Sequence, residues 1–573
     1  DLPPVAKNLP TIMARHFLII PPRPHTLLTC VIFLSTLGLL FYLPWIKIRA
    51  RTCIPAFRRP APPIFFNTEN GLLVFASPIL NDTHVKHPIE SLIINAQTEW
   101  DRVTRRQSKT LAMAVREYQR RNHQRLPPRG FEKWWQFVVD NKVGLVDEYD
   151  QISKDLEPFW AIEPARLRKL SIRRGRVNRT GAFGNTGRAK DLSALMESYQ
   201  KYSRKATKPF TMVIGADDQA EIKTTWRERS RLLELAKRQE FIDEEEDLQL
   251  SETHSAYDDC PPHSSPRSLG KGYSSFVFDH LKSMDICSSL EQVPIHGSLV
   301  NRHSTAFQPI TPLFSFSKTC LDSDIRVTPM EQYQATYGNV YEWNDPRRIA
   351  KSFWRGSTTG FNENPSWKDS HRLRLHQLTR PIKGHKQLID GTQIDLAKAN
   401  AAWFDVEFVG TPIQCEPPVC QQLEQMIKFQ EWVDDDKANL FKYALDVDGN
   451  GWSGRFHKLL SSNRVVIKNT IFPEWPWFHY VPVKTDYSDL HDIIHFLKTH
   501  DDLAAQIAQN GRDYSRRYWR PQDMAAYMFR LSLEWSRLYN REICDRSKKG
   551  TCESLDFELS CQIPFLDADS PLY

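Results

Sequence analysis

The sequence predicts an α/β protein built around a parallel, doubly wound sheet. From Lys351 onward, short β-branched and aromatic runs alternate with helical stretches. Lys442–Val447, Ser453–Ser462 and Arg464–Lys468 read together as one strand-helix-strand unit, with Asp448-Gly449-Asn450-Gly451 as the turn that joins its first two members. Upstream, Phe210–Ile214 is a further β-rich run that ends at Gly215, with Asp217 and Asp218 just beyond it. The mouth of a strand's carboxyl end is where α/β sheets place ligands.

Taken in order, residues 1–24 are a short tail, and residues 25–46 hold no Asp, Glu, Lys or Arg, a length that suits one bilayer-spanning helix. A cleaved signal peptide is the alternative, but its apolar region is usually shorter. Tyr42, Trp45, Lys47, Arg49 and Arg51 form a plausible interfacial belt. The basic excess after the span would by itself put the body in the cytosol. Against that stand the acceptor triplets Asn81-Asp82-Thr83 and Asn178-Arg179-Thr180, which have meaning only in a lumen. Residues 47–88 are proline-rich and read as a stem.

From His87 to about Arg121 the periodicity is helical, with an end expected at Pro127-Pro128. Trp134, Trp135 and Phe137 read as a packed aromatic cluster rather than a sugar-stacking platform. Residues 238–272 carry the acidic run Asp243–Asp247 and then Ser/Pro/His-rich sequence, which reads as a solvated insertion. Residues 89–340 thus form a helical region with a first nucleotide-fold-like domain, 341–540 a second, and 541–573 a tail. Toward the end, Tyr480–Val483 is a short strand. Asp489–Leu497, Asp502–Asn510 closed by Gly511, and Ala525–Leu538 are helices.

Composition narrows the function. With 573 residues, 40% hydrophobic and 25% charged, the chain can bury two or three cores. A net charge of +7 without a basic block interleaved with aromatics argues against a nucleic-acid partner. Ten cysteines lack repeated C-x-x-C spacing; Cys415 with Cys420, and the group Cys544, Cys552 and Cys561, suit disulfide-closed loops or buried free thiols.

The chemistry concentrates in two loops. Phe353-Trp354-Arg355-Gly356-Ser357-Thr358-Thr359-Gly360 joins two glycines, three hydroxyls and a guanidinium, a combination that suits a diphosphate. In the second, Gly449 and Ser453 precede a helix whose N-terminus attracts an anion, and Arg455 adds a second cation. Asp446-Val447-Asp448 also admits a rival reading as a D-x-D ligand pair for Mn²⁺, although the two arginines would make a metal redundant.

The segments Phe353–Gly360, His371–Leu375, Lys442–Lys468 and His479–Val483, with Pro312–Thr319 and His87–Leu92 upstream, resemble glycosyltransferase family 90. That family comprises the fungal capsule-associated xylosyltransferases and the protein O-glucosyltransferases. The resemblance implies a GT-B architecture, two Rossmann-like domains facing across a cleft, and inverting transfer from a UDP-sugar without a metal. UDP-xylose is the first expectation for the donor and UDP-glucose the second. A hydroxyl of a glycan or glycoprotein would be the acceptor. By position, Arg355, Gly356, Ser357, Thr358, Gly449, Ser453 and Arg455 would hold the donor, and Asp218 would be the general base. Gly215 and Ala220 depart from the family's Asn and Pro around that base, which leaves a non-catalytic glycan-binding protein as the alternative. Pro571-Leu572-Tyr573 is not an endoplasmic-reticulum retention signal, so the expected address is the Golgi membrane with a lumenal body.

Overall fold

The structure, a computed structural model, describes residues 65–541 apart from 68–69, 77–86, 181–185, 205, 216, 244–256, 265–272, 301–309, 330–332, 334–337, 361–366, 390–391 and 473–478. The expected span at 25–46, the Asn81 triplet, the Asn178 side chain, most of the acidic run and Cys544, Cys552 and Cys561 lie outside the described residues or side chains. Among the described residues no helix is long and apolar enough to cross a membrane.

Five strands form a wholly parallel sheet in the spatial order Phe404–Phe408, Ile349–Gly356, Phe441–Val447, Val465–Asn469, Val481–Pro482. In chain order this is 2-1-3-4-5, so the winding reverses between Ile349–Gly356 and Phe441–Val447. Helices on both faces explain why its strands read as continuous apolar runs rather than alternating ones. Val465, Val466 and Ile467 are all fully buried. Leu490–Thr499 presents Leu490, Ile493, Ile494 and Leu497 to the core at helical spacing.

Several boundaries move. The helix expected from Ser453 spans Phe456–Ser461, which makes Arg455 its N-cap rather than a first-turn residue. Gly511 does not close a helix: Asp501–Tyr518 runs through it, and Gly511 is buried where a Cβ would lie 2.6 Å from the His479 carbonyl. The helical stretch after His87 divides into Pro88–Arg106 and Leu111–Arg121 and stops before Pro127. The Ser108 N–H leaves the helix for Asp147 Oδ2 at 2.7 Å, and Thr110 Oγ1 caps the second helix by accepting from the Met113 N–H.

A second parallel sheet joins Ile214–Gly215, Phe314–Ser315 and Ile325–Arg326. Its first strand is shorter than the Phe210–Ile214 run suggested, because the Thr211 carbonyl accepts instead from Trp535 Nε1 at 3.0 Å. The distal part of the expected stem is folded: Leu72–Ala76 pairs antiparallel with Phe65–Asn67 and with Tyr273–Val277, burying Leu73 and Phe75.

The C-terminal helix Pro521–Asn540 packs on the N-terminal helices. Trp134, fully buried, donates from Nε1 to the Ala526 carbonyl at 3.0 Å, as a packed cluster should. On the same helix, buried Glu534 accepts from Arg530 at 2.9 Å and Arg537 at 2.6 Å. Burial alone would raise the Glu534 carboxyl, but the two guanidiniums outweigh it and hold it below its ordinary value.

Candidate active site

The reversal of winding leaves a crevice between the carboxyl ends of Ile349–Gly356 and Phe441–Val447, the position at which doubly wound sheets bind ligands. Both loops singled out in the sequence open there. Arg372, from the helix His371–Leu378, fastens them together. Its Nε donates to the Asp448 carbonyl at 2.7 Å, and its Nη1 to the Ser357 carbonyl at 2.8 Å and Thr359 Oγ1 at 2.6 Å. Burial, with Arg455 nearby, pushes this guanidinium down to about 9.

Arg455 donates from Nη1 to the Arg355 carbonyl at 2.6 Å, its Nε lies 3.9 Å from Asp446 Oδ1, and 31% of its side chain stays exposed. Arg372 and Arg455 lie 5.7 and 5.9 Å from the Trp354 ring, within cation–π range. Two cations thus converge where an anion gains most.

Beneath them the carboxylates are already engaged. Asp446 is fully buried, takes Lys468 Nζ at 2.6 Å and accepts a short bond from Ser453 Oγ. Asp448 accepts from the Ile471 N–H at 3.0 Å and faces His296 Nε2 at 3.2 Å; burial raises it to about 6. Among the described residues no group of three or more His, Cys, Asp or Glu is placed to hold a metal.

The expected donor residues divide in two. Ser357 and Arg455 are half-buried at the crevice, and Gly449 is buried in its turn, where a Cβ would lie 3.1 Å from Arg372 Nη2. Arg355 instead turns to the neighbouring strand, where its Nη2 lies 2.7 Å from Asp405 Oδ1. Thr358 is fully buried and exchanges hydrogen bonds of 2.8 Å with the backbone of Ile413. Ser453 is held by Asp446, and Gly356 lies where a Cβ would meet the Trp354 ring at 2.4 Å. These four shape the crevice rather than face into it.

Asp218 comes to the same place from the other sheet. A Cβ on Gly451 would lie 1.8 Å from the Asp218 carbonyl, so only glycine permits this approach. Asn450 links the three segments: its Nδ2 is 3.5 Å from Asp218 Oδ2, its Oδ1 accepts from the Gly360 N–H at 2.9 Å, and its carbonyl accepts from Gln219 Nε2 at 2.7 Å. Gly360 itself sits at φ +83°, with the Gly449 carbonyl where a side chain would go. Asp218 is half-exposed and takes Arg188 Nη2 at 2.6 Å, whereas Asp217 is exposed.

Sequence reasoning missed Arg188, His296, Asn450 and the role of Arg372. His296 stacks on His371 with centroids 4.2 Å apart, and both buried rings meet Asp448. The Asn between Gly449 and Gly451 was the one legible signal, since such a turn brings its side chain close to whatever the glycines admit.

Residues 276–563, half of the chain, match the model of Glycosyl transferase family 90. The chain belongs to glycosyl transferase family 90. The matched residues of this family 90 chain contain both crevice loops, Arg372 and the Pro312–Thr319 segment, while Asp218 and Arg188 precede them. Protein O-glucosyltransferase 1 of Rattus norvegicus is 31% identical over 272 residues, 42% of this chain and 60% of the relative. Protein O-glucosyltransferase 2 of Danio rerio is 26% identical over 238 residues, 40% of each chain. The O-glucosyltransferase rumi homolog of Aedes aegypti is 26% identical over 295 residues, 46% of this chain and 64% of the relative. The family 90 chain therefore spans between two fifths and two thirds of the length of these curated relatives.

Proposed function

We propose that the chain is an inverting glycosyltransferase of GT-B type that moves a sugar from a UDP-sugar, xylose first and glucose second, to a hydroxyl of a glycan or glycoprotein. The observation that carries this reading is the convergence of Arg372, Arg455 and Asp218 at the switch point of the parallel sheet. Membership of family 90 and the O-glucosyltransferase names of the relatives support it.

In this reading the UDP diphosphate lies at the Gly449 turn and against Arg455, whose half-buried side chain neutralises charge growing on the leaving group. Arg372 fixes the two loops so that they need not reorganise as that charge develops. Asp218, from the opposite sheet, takes the proton of the attacking hydroxyl. Transfer proceeds without a metal, because the arginines do the work of a divalent ion. Asp446 and Asp448 remain the ligands that a Mn²⁺-dependent enzyme would use. The disulfides Cys260–Cys287 and Cys415–Cys420 suit an oxidising lumen and support a Golgi address, with a membrane anchor at residues 25–46.

One observation favours a second reading, a non-catalytic glycan-binding protein. Arg188 Nη2 holds Asp218 Oδ1 at 2.6 Å, so the candidate base is already engaged in an ion pair. Release of UDP from UDP-xylose and UDP-glucose, with and without an array of glycan acceptors, separates the two. Acceptor-stimulated release supports the transferase, and UDP binding without release supports the binding protein.

A further inference from the structure

Beside the crevice lies a cavity of about 350 Å³ that no sequence motif announced. Its walls come from the carboxyl ends of both sheets. Phe316 and Ser317 follow the strand Phe314–Ser315, Val327 follows Ile325–Arg326, and Trp452 with Phe456 follow Phe441–Val447. Such ends are where ligands bind in α/β folds, and the volume falls within the roughly 300–1,000 Å³ of small-molecule sites.

The chemistry of the walls limits what fits. Phe, Tyr and Trp supply ten of the lining residues, and polar and charged side chains border the rest of an otherwise apolar wall. Lys318 is committed to Asp155 at 2.8 Å and the Asp324 carbonyl at 2.7 Å, and the other lining cations, Lys154 and Arg326, are offset by the acids Glu148, Asp150 and Asp523, so the pocket carries no excess positive charge for a phosphate. Trp452 is 9% exposed, and its Nε1–H has no hydrogen-bond partner among the described residues. A buried donor left unmade costs about 1–3 kcal/mol, which a ligand oxygen would recover. Aromatic walls with a few polar groups suit a ring that is apolar on its faces and hydroxylated at its edge.

The cavity also adjoins the candidate base. Ser317, in its wall, donates from Oγ to the Asp218 carbonyl at 2.7 Å. Arg188 spans the remaining gap, lying 5.1 Å from the Trp452 ring while it pairs with Asp218.

We propose that this pocket is the acceptor subsite, and that it takes the terminal pyranose of a neutral glycan, packed among its aromatic rings with a hydroxyl accepting from Trp452 Nε1. The proposal rests on the glycosyl-transfer reading of the neighbouring crevice. A cavity of this size admits about one or two sugar rings and no folded polypeptide, so recognition at this subsite is of carbohydrate.

The test uses the full-length chain, with methyl glycosides and oligosaccharides of mannose, galactose, glucose and xylose as probes. Leu281→Trp closes the pocket from its rim, where Leu281 is 55% exposed, and Trp452→Phe keeps a ring while removing the donor. Leu281→Trp is expected to raise acceptor KM about tenfold or more with UDP affinity unchanged, and Trp452→Phe about fivefold, the loss of one neutral hydrogen bond. Acceptor KM within twofold of wild type in both variants would overturn the subsite. So would transfer to an unglycosylated polypeptide with no glycoside competing. Failure of the wild type to bind UDP would instead sink the reading beneath it, and the two failures are distinguished by titrating UDP alone.

Discussion

At the scale of single residues, the carboxylate that faces the crevice is Asp218, while its neighbour Asp217 points to solvent. An acceptor hydroxyl is a poor nucleophile near neutral pH, and general-base help contributes about 10²–10⁴ in rate. Asp218→Asn keeps the shape and the contact with Asn450 but cannot take a proton. Turnover should fall by that order in steady-state assays, with UDP affinity little changed, because the proposed diphosphate site is on the other sheet. Asp217→Asn should be mild. The opposite ranking would put the reactive carboxylate one residue earlier.

At the scale of elements, His280 links the short helix His280–Ser283 to the end of the crevice sheet, its Nδ1 2.8 Å from Tyr480 Oη. Burial pushes this imidazole down to about 3, with Lys468 adding to the effect. A histidine kept neutral in the fold but free to titrate near 6.5 when unfolded stabilises fully above about pH 6.5, and that contribution is lost as pH falls toward 3. Asp489, raised to about 7 by burial, works the other way, so the sign is read from a variant rather than from the wild-type curve. Between pH 6.5 and 5, denaturant unfolding of wild type should lose stability faster than that of His280→Asn, by up to about 1.4 kcal/mol per pH unit. Parallel curves would mean that His280 titrates normally.

Elements were also where sequence and structure agreed best. The strand Phe441–Val447, the glycine turn after it and Val465–Asn469 were legible because continuous apolar runs broken by Gly-rich turns have few other solutions. The start of the Phe456 helix and the length of the Ile214 strand were not, because side chains outside each element compete for its polar groups: Asp446 for Ser453, and Trp535 for the Thr211 carbonyl. Arg355 looked like a phosphate ligand from its glycine neighbours, and only pairing with the next strand reveals Asp405 beside it. The aromatic pocket had no signature at all, since its walls come from segments far apart in the chain.

At the scale of the whole molecule, the C-terminal helix returns to pack on the N-terminal helices, and on it Glu534 neutralises Arg530 and Arg537 in a buried triad. Removing one member of a buried ion pair leaves uncompensated charge and costs about 3–5 kcal/mol. Glu534→Ala should lower the denaturation midpoint accordingly, and a loss under about 1 kcal/mol would show that the triad is dispensable. The central claim, however, is the proposal that the crevice holds the UDP diphosphate through Arg455, the half-buried of its two arginines. Calorimetric titration of UDP into wild type, Arg455→Ala and Arg355→Ala, each with and without chelator, tests this most directly. Arg455→Ala should lose on the order of 1.5–3 kcal/mol of binding, as expected for a charge-assisted contact, with Arg355→Ala much less affected and chelator without effect. Wild-type affinity in Arg455→Ala together with loss of binding on chelation would contradict the account and move the diphosphate to a metal at Asp446 and Asp448.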